Sequence, residues 1–373
     1  MASPSKRVAK IFANIETSKS IATKPEVIVL SNGTEPHLDA SFFYVSGFPY
    51  GLFEGSFLVA RKDGTVELLT SPLEEEIART NSNGIEIQAV QRDEMSSRLS
   101  ELLRDNASAI GINSAELTVK SLDVIKSASK TAEQVDVSEA IESARLIKDK
   151  DEVECIQKAC DIASDAYRKV PKILKKGTTE SEVAARLAFE MQENGGSGVA
   201  FDSIIAFGKN SALPHYSAGD AKLKKGQFVL CDYGTKYRRY NSDITRTLVF
   251  GKASKQQKRM YEVVLEALEM GTQLCTPEYT GAEANSQVTE FIDSTEFKGK
   301  FIHSLGHSLG LSVHDGPGLS RNYSKKLEPG MVVTVEPGVY IPGVGGVRIE
   351  DDVLVTKTKP KILTSAKRGL LEA

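Results

Sequence analysis

Five side chains in the C-terminal half of this 373-residue chain could do chemistry together: Asp232 in CDYGTKY, Asp243 in NSDITRT, His307 in HSLGHSLGL, Glu336 in TVEPGVY and Glu350 in VRIEDD. Each lies beside strand-like residues or glycine turns, where a side chain is aimed rigidly. Taken singly, an Asp or Glu in such a place is as often a solvated turn residue. Taken jointly, the five read as the ligands of a two-metal hydrolytic site. Two divalent cations are balanced by the four carboxylates, so a hydroxide fits between them without a large net charge. Bound metal makes water a nucleophile near neutral pH, and paired metals clamp both water and a substrate oxygen. The expected chemistry is therefore hydrolysis. An oxygen-rich ligand set suits two Mn²⁺ or Co²⁺ ions, with Zn²⁺ also compatible.

The histidines sharpen the pattern. There are five, and His215, His303, His307 and His314 all fall in the C-terminal half, among glycines and carboxylates. Such clustering favours a site over scattered surface use. His303 and His307 are four apart, but the acid that a zinc-protease HExxH motif needs is absent. The segments FDSIIAFGKNSALPHY, CDYGTKYRRYNSDITRT, HSLGHSLGLSVHDGPG and EPGMVVTVEPGVYIPGVGGVRIEDD resemble those of the pita-bread metallopeptidases. That family holds the Xaa-Pro dipeptidases (prolidases), aminopeptidase P, methionine aminopeptidase and the metal-free creatinases. The detailed resemblance covers about residues 146–356, and the front of the chain is similar to the N-terminal domain of the proline-specific branch.

The resemblance implies roles. Asp232 would bind one metal, His307 and Glu336 the other, and Asp243 and Glu350 would bridge. Glu336 would also move a proton from the attacking water to the leaving nitrogen. His215 would contact substrate near the scissile bond. His314 would hydrogen-bond the carbonyl oxygen, where such donors stabilise developing charge. His303 reads as a structural histidine. Arg348 reads either as a substrate contact or as a salt-bridge partner that orients ligands. Asp315 reads as a turn former before Gly316-Pro317 rather than as the partner of His314. The implied substrate is a peptide with proline second, cut by an Xaa-Pro aminopeptidase or an Xaa-Pro dipeptidase. The amide before proline has no N–H and is held by the ring, so it needs a dedicated pocket. Some prolidases carry an arginine four residues after the histidine matched by His314. Here that position is Gly318, with Arg321 nearby but shifted. Longer peptides are therefore expected to serve at least as well as dipeptides, and arginine at 318 is expected to favour dipeptides if the loop tolerates it. Two other readings stay open: a non-catalytic binding protein on the same fold, and a creatinase-like hydrolase of another small amide. Intact His215 and His314 weigh against the first, and the complete ligand set against the second.

The elements that must position these residues follow from length and pattern. The length exceeds one typical core and implies two domains. We place them at 1–145, creatinase/prolidase-like, and 146–373, catalytic, as an α/β N-terminal domain plus an α+β pita-bread catalytic domain. In the first, 26–32 and 42–48 read as strands, and Asp63-Gly64 marks a hairpin. LEEEIART and MSSRLSELLRDN read as helices, and AIGIN as a short buried strand. In the second, Val153, Ile156, Cys160, Ala163, Tyr167 and Val170 recur at helical spacing. Thr179 with Glu182, and Ser254 with Gln257, are capping boxes. A further helix is expected near 281–294. Asp232 and Asp243, eleven apart, are expected on a hairpin that brings both carboxylates to one point.

Composition excludes several classes. A net charge of -3 leaves no basic excess for nucleic acid. No apolar run reaches membrane-spanning length, and MASPSKRVAKIFANIE lacks the apolar stretch of a secretory signal and reads as an amphipathic helix. Cys155, Cys160, Cys231 and Cys275 form no CxxC pair and read as buried reduced thiols. A cytoplasmic peptidase that binds neither nucleic acid nor membrane is expected, and the resemblance implies a homodimer.

Overall fold

The structure is a computed structural model and describes residues 3–104 and 108–373. Its contacts divide the chain into two compact units, Met1–Arg145 and Leu146–Ala373. Among the described residues, no helix is long and apolar enough to cross a membrane.

The first unit is built on a six-stranded mixed sheet. Its strands are β1 (Val27–Ser31), β2 (Phe57–Arg61), β3 (Val66–Thr70), β4 (Glu86–Ala89), β5 (Ala109–Ile112) and β6 (Glu133–Asp136). They lie in the order β4-β3-β2-β1-β5-β6. The β2–β3 hairpin closes as its sequence requires. Gly64 takes a φ of 93°, and the Asp63 carboxylate accepts the Thr65 N–H at 2.9 Å. Helix Pro4–Thr17 buries Val8, Ile11, Phe12 and Ile15 on one face. Helix Met95–Leu103 buries Leu99 and Leu103; Asp105 and Asn106, the end of the stretch read as helical, lie outside the described residues.

One expectation fails here. Residues 42–48 are not a strand: Ala40–Ser46 is a helix. The Asp39 side chain accepts the Ser41 N–H at its start, and Gly47 ends it with a φ of 70°. The run SFFYVS is buried throughout. A short apolar stretch buried on every side shows neither period, so its aromatic content misleads and its two flanking residues set the outcome.

The second unit holds strands β7 (Ile204–Phe207), β8 (Gln227–Tyr233), β9 (Lys236–Tyr237), β10 (Tyr240–Asn241), β11 (Ile244–Phe250), β12 (Val332–Val335), β13 (Gly338–Ile341), β14 (Gly345–Arg348), β15 (Asp351–Leu354) and β16 (Lys361–Ile362). One antiparallel sheet runs β11-β8-β7, another β12-β15-β16, and β13 pairs with β14. Helices Lys150–Tyr167 and Glu180–Glu193 share a core with the first sheet through Ile162, Ala163, Leu187, Val229 and Leu248. Helices Lys255–Gln273 and Gly281–Asp293 share a core with the second through Val264, Leu268, Val288, Val333 and Val353. Helices thus cover sheets whose other residues are free to build a site, an α+β arrangement. The four helices begin with capping boxes, at Asp149, Thr179, Ser254 and Thr280. All four cysteines are buried thiols outside any disulfide.

Candidate active site

β8 and β11 pair antiparallel with Asp232 opposite Thr245. Asp243 is the residue before β11, and the short β9–β10 ladder fills the turn between. The turn bends sharply, with positive φ at Arg238 (49°) and Arg239 (73°). Glu336 follows the last residue of β12, and Glu350 sits between β14 and β15. The Glu350 N–H donates to the Thr245 carbonyl at 3.1 Å, so the two sheets meet beside the acids. His307 lies in an irregular segment, 301–326, not on a helix. That segment is stitched to β12 by a bridge between Ser308 and Val333 and by Thr334 N–H donating to the His307 carbonyl at 2.8 Å.

These elements converge. Ligand atoms of Asp243, His307 and Glu350 all lie within 4.8 Å of one another. His307 Nε2 is 3.6 Å from Asp243 Oδ2 and 3.7 Å from Glu336 Oε1. The His307 ring meets His314 edge-on at 4.1 Å. A cavity of about 370 Å³ opens over the group, and its walls include His215, Asp243, His307, His314, Glu336 and Glu350. Asp232 joins from behind through Arg348, whose Nη2 donates to Asp232 Oδ2.

So many carboxylates in one buried place repel. Asp243 is pushed well up, first by burial and then by Glu350 and Asp232. Glu350 is pushed well up by burial, then by Glu336 and Asp232. Burial pushes Glu336 up to about 8, and Asp352, behind Asp243, up to about 7. Burial pushes His307 down to about 4, with His314 adding to the effect, which leaves a neutral imidazole able to donate a lone pair. Asp232 Oδ1 and Asp243 Oδ1 are buried without a hydrogen-bond partner. Orphaned carboxylate oxygens, mutual repulsion and a neutral imidazole are what a divalent cation relieves, so the residues present fit the metals that the sequence implied.

Arg348 is committed inside the protein. Its Nε donates to Thr245 Oγ1 at 3.1 Å, one Nη to Tyr340 OH at 2.8 Å and the other to Asp232. Thr245 Oγ1 in turn donates to Glu350 Oε2 at 2.6 Å. His303 has both ring nitrogens engaged, with Tyr340 OH and the Ser304 carbonyl, each at 2.8 Å. Asp315 faces Lys148, 3.5 Å away, in a pair whose side chains are 3% and 1% exposed. Sequence reasoning missed Tyr340, Thr245 and Asp352. Asp352 Oδ2 accepts the Asp243 N–H at 3.0 Å and the Cys160 thiol at 3.1 Å. Each of these stands within a few residues of a candidate ligand, but nothing in its type marked it out.

The loop around Gly318 does not tolerate a side chain. A Cβ there would sit 2.5 Å from the His307 Cα and carbonyl carbon. No side chain fits, so an arginine at 318 would displace His307 rather than reach a substrate. Arg321 is exposed.

Residues 154–357 match metallopeptidase family M24, and residues 21–147 match the Creatinase/Prolidase N-terminal domain. The chain is 39% identical over 331 residues to a Pyrococcus furiosus protein named Xaa-Pro dipeptidase, a match that spans 88% of this chain and 92% of that one. A solved Xaa-Pro dipeptidase from Bacillus anthracis superposes with a TM-score of 0.89 at 32% identity, covering 99% of each chain. A solved X-Pro aminopeptidase from Thermotoga maritima superposes with a TM-score of 0.88 at 31% identity, covering 94% of this chain and 98% of that one.

Proposed function

As the chain belongs to metallopeptidase family M24, with a Creatinase/Prolidase N-terminal domain ahead of the peptidase domain, we propose that it hydrolyses the Xaa-Pro bond at the N-terminus of peptides, using two divalent metals. The chain is a metallopeptidase of the pita-bread fold. We assign 1–145 to the N-terminal domain and 146–373 to the catalytic one. The observation that carries the reading is the convergence of Asp243, His307 and Glu350 within 4.8 Å, under a cavity that His215 and His314 also line.

In this reading Asp232, Asp243, His307, Glu336 and Glu350 would hold the metals. Mn²⁺ or Co²⁺ suits this oxygen-rich set. When bound, the metals supply an activated water and polarise the scissile carbonyl. The chain's own residues do the rest. Glu336 takes a proton at a carboxylate oxygen and passes it to the proline nitrogen as the bond breaks. His314, edge-on to His307, donates to the substrate carbonyl oxygen, and His215 steadies the peptide beside the scissile bond. Arg348 orients Asp232, and through Thr245 also Glu350, rather than binding substrate.

Between an aminopeptidase and a dipeptidase, the observations favour the first. A dipeptide's free carboxylate needs a cation close to the scissile bond. Arg348 lines the cavity, but its nitrogens are already bonded to Asp232, Tyr340 and Thr245. Gly318 admits no side chain. A release assay on matched Xaa-Pro and Xaa-Pro-Xaa peptides, with chelator and then with Mn²⁺ or Co²⁺, tests both levels. We expect metal-dependent release with kcat/KM for the tripeptide equal to or above that for the dipeptide. Full activity after verified metal removal would sink the metal reading. Strong dipeptide preference would sink the aminopeptidase reading alone.

A further inference from the structure

Glu180 is a carboxylate with no exposed surface in the second unit, and it is not among the residues lining the cavity over the candidate ligands. It is the first residue of helix Glu180–Glu193, just after the Thr179 cap. Each of its oxygens accepts twice. Oε1 takes the Phe207 N–H at 2.8 Å and the Asn210 side-chain N–H at 3.0 Å. Oε2 takes the Tyr216 hydroxyl at 2.9 Å and the Gly219 N–H at 3.2 Å. The four donors span residues 207–219, so one side chain ties both ends of the loop that carries His215. Asn210 also donates to Tyr216 OH at 2.9 Å, which closes the network across the loop. The neighbouring Ser181 N–H donates to the Gly219 carbonyl at 3.0 Å.

The loop so held is part of the cavity wall. Pro214 and His215 line it, next to the tied Tyr216. Leu213 and His215 are themselves exposed, so little packing fixes them. A loop with little packing of its own holds its geometry through hydrogen bonds, and a buried carboxylate that accepts four of them is a firm anchor. The helix N-terminus adds to this by favouring negative charge at its first turn. The cost of burying Glu180 is offset by its four donors together, which ties the loop's shape to this one carboxylate.

We propose that Glu180 is a positioning residue that presets His215 for substrate, acting through Tyr216 and Gly219. The proposal rests on the reading of His215 as a substrate contact. Displacing such a contact by about an ångström costs up to roughly a hundredfold in rate. Glu180→Gln keeps size but places an N–H₂ against a donor that cannot accept, at Gly219 or at Phe207. Tyr216→Phe removes one arm only, from a half-buried site where folding is not at stake.

The test is a double-mutant cycle with His215→Ala, read as kcat/KM on an Xaa-Pro-Xaa peptide, together with metal content. In the otherwise unmodified chain, Glu180→Gln should lower kcat/KM by roughly ten- to a hundredfold, and Tyr216→Phe by less, with bound metal unchanged. Glu180→Asp, which keeps the charge, should recover part of the loss. In the His215→Ala background both effects should vanish, because a residue that acts through His215 has nothing left to act on. If the losses add in full to that of His215→Ala, or if metal is lost, Glu180 is merely structural and the proposal falls. Should Glu180→Gln fail to fold, the cycle with Tyr216→Phe decides between the same two outcomes. If His215→Ala alone leaves activity unchanged, the reading of His215 has failed, and the positioning proposal falls with it for that separate reason.

Discussion

The two halves of the second unit repeat one plan and use it differently. Each has two capped helices on a three-stranded sheet, then a loop that returns to the second helix. Thr179 bridges to Lys222 in one half, and Thr280 to Lys326 in the other. Each loop carries a histidine into the cavity, His215 and His314, and each has a glycine four residues later. The anchoring differs. The first loop hangs on the buried carboxylate of Glu180, with room around Gly219: a Cβ there meets Tyr216 OH at 3.6 Å and Glu180 Oε2 at 3.8 Å. The corresponding place in the second half is Gly281, whose missing side chain leaves space for the Gly318 carbonyl, and Gly318 lies directly on the His307 backbone. The buried Lys148–Asp315 pair adds a second tie. The half that supplies His307 is locked by backbone packing, whereas the half that supplies the exposed His215 is held by hydrogen bonds. Rigid packing suits the metal-ligand role proposed for His307, and a hydrogen-bonded loop suits the substrate contact proposed for His215.

Breaking the meeting point of the halves should have the largest effect. Asp243 comes from the first half and Glu350 from the second. Replacing either by Ala should abolish peptide hydrolysis and strip metal. His303→Ala, whose ring bonds only to protein groups, should keep metal content near that of the unmodified chain. Elemental analysis checks this, and metal loss confined to the His303 variant would reverse the assignment.

The glycines give the next largest contrast. Gly318→Ala should push on His307, destabilise the fold by about 1–3 kcal/mol and lower kcat/KM roughly a hundredfold. Gly219→Ala should behave nearly as the unmodified chain, because its new methyl meets only ordinary contacts. Equal effects at the two positions, in melts and kinetics, would erase the distinction drawn between the loops.

A smaller effect concerns pH and the metal-free protein. Asp243, Glu336 and Glu350 hold protons more tightly when folded than when unfolded, Glu336 up to about 8 and Asp352 up to about 7. The folded state then binds more protons than the unfolded one, so stability falls as pH rises. His303 and His307, pushed down to about 4, act in the opposite direction, but only below their ordinary range near 6.5. Between pH 7 and 8, above the ordinary value of those histidines and of the similarly lowered His314, the carboxylates dominate. Metal-free protein should lose thermal stability over that window, and Mn²⁺ should remove the loss. A metal-free melt that rises with pH there would count against a strained cluster.

The smallest effect tests what the halves share. Thr179→Ala and Thr280→Ala each remove a cap that accepts from the third helical residue, and each should cost about 1 kcal/mol. Urea midpoints should shift alike. A shift at Thr179 several times that at Thr280 would mean that the cap and its neighbour Glu180 act as one unit.

Much of this molecule is legible without coordinates, for local reasons. The capping boxes at Thr179 and Ser254 are four-residue patterns whose bonds close within one turn. The Asp63-Gly64 hairpin needs only a residue free to take positive φ. The helix from Lys150 declares its buried face by spacing. The same locality explains the failure at 42–48, where the aromatic run carried no period and only Asp39 and Gly47 spoke for a helix.

By itself, then, the sequence determined most of the element types and the class of chemistry, and it singled out the acids and imidazoles proposed to carry that chemistry, because residue type and short-range spacing encode those directly. Tertiary structure alone decided which of these groups meet. Asp232 and Arg348 are 116 positions apart, Glu180 and Gly219 are 39 apart, and no pattern in the chain links either pair. It decided that Arg348 is spent on Asp232, Tyr340 and Thr245, that Asp352 stands behind Asp243, and that Gly318 has no room for a side chain. Those facts depend on distances between segments that only packing brings together, and a contact between distant segments leaves no mark on the residues beside either partner.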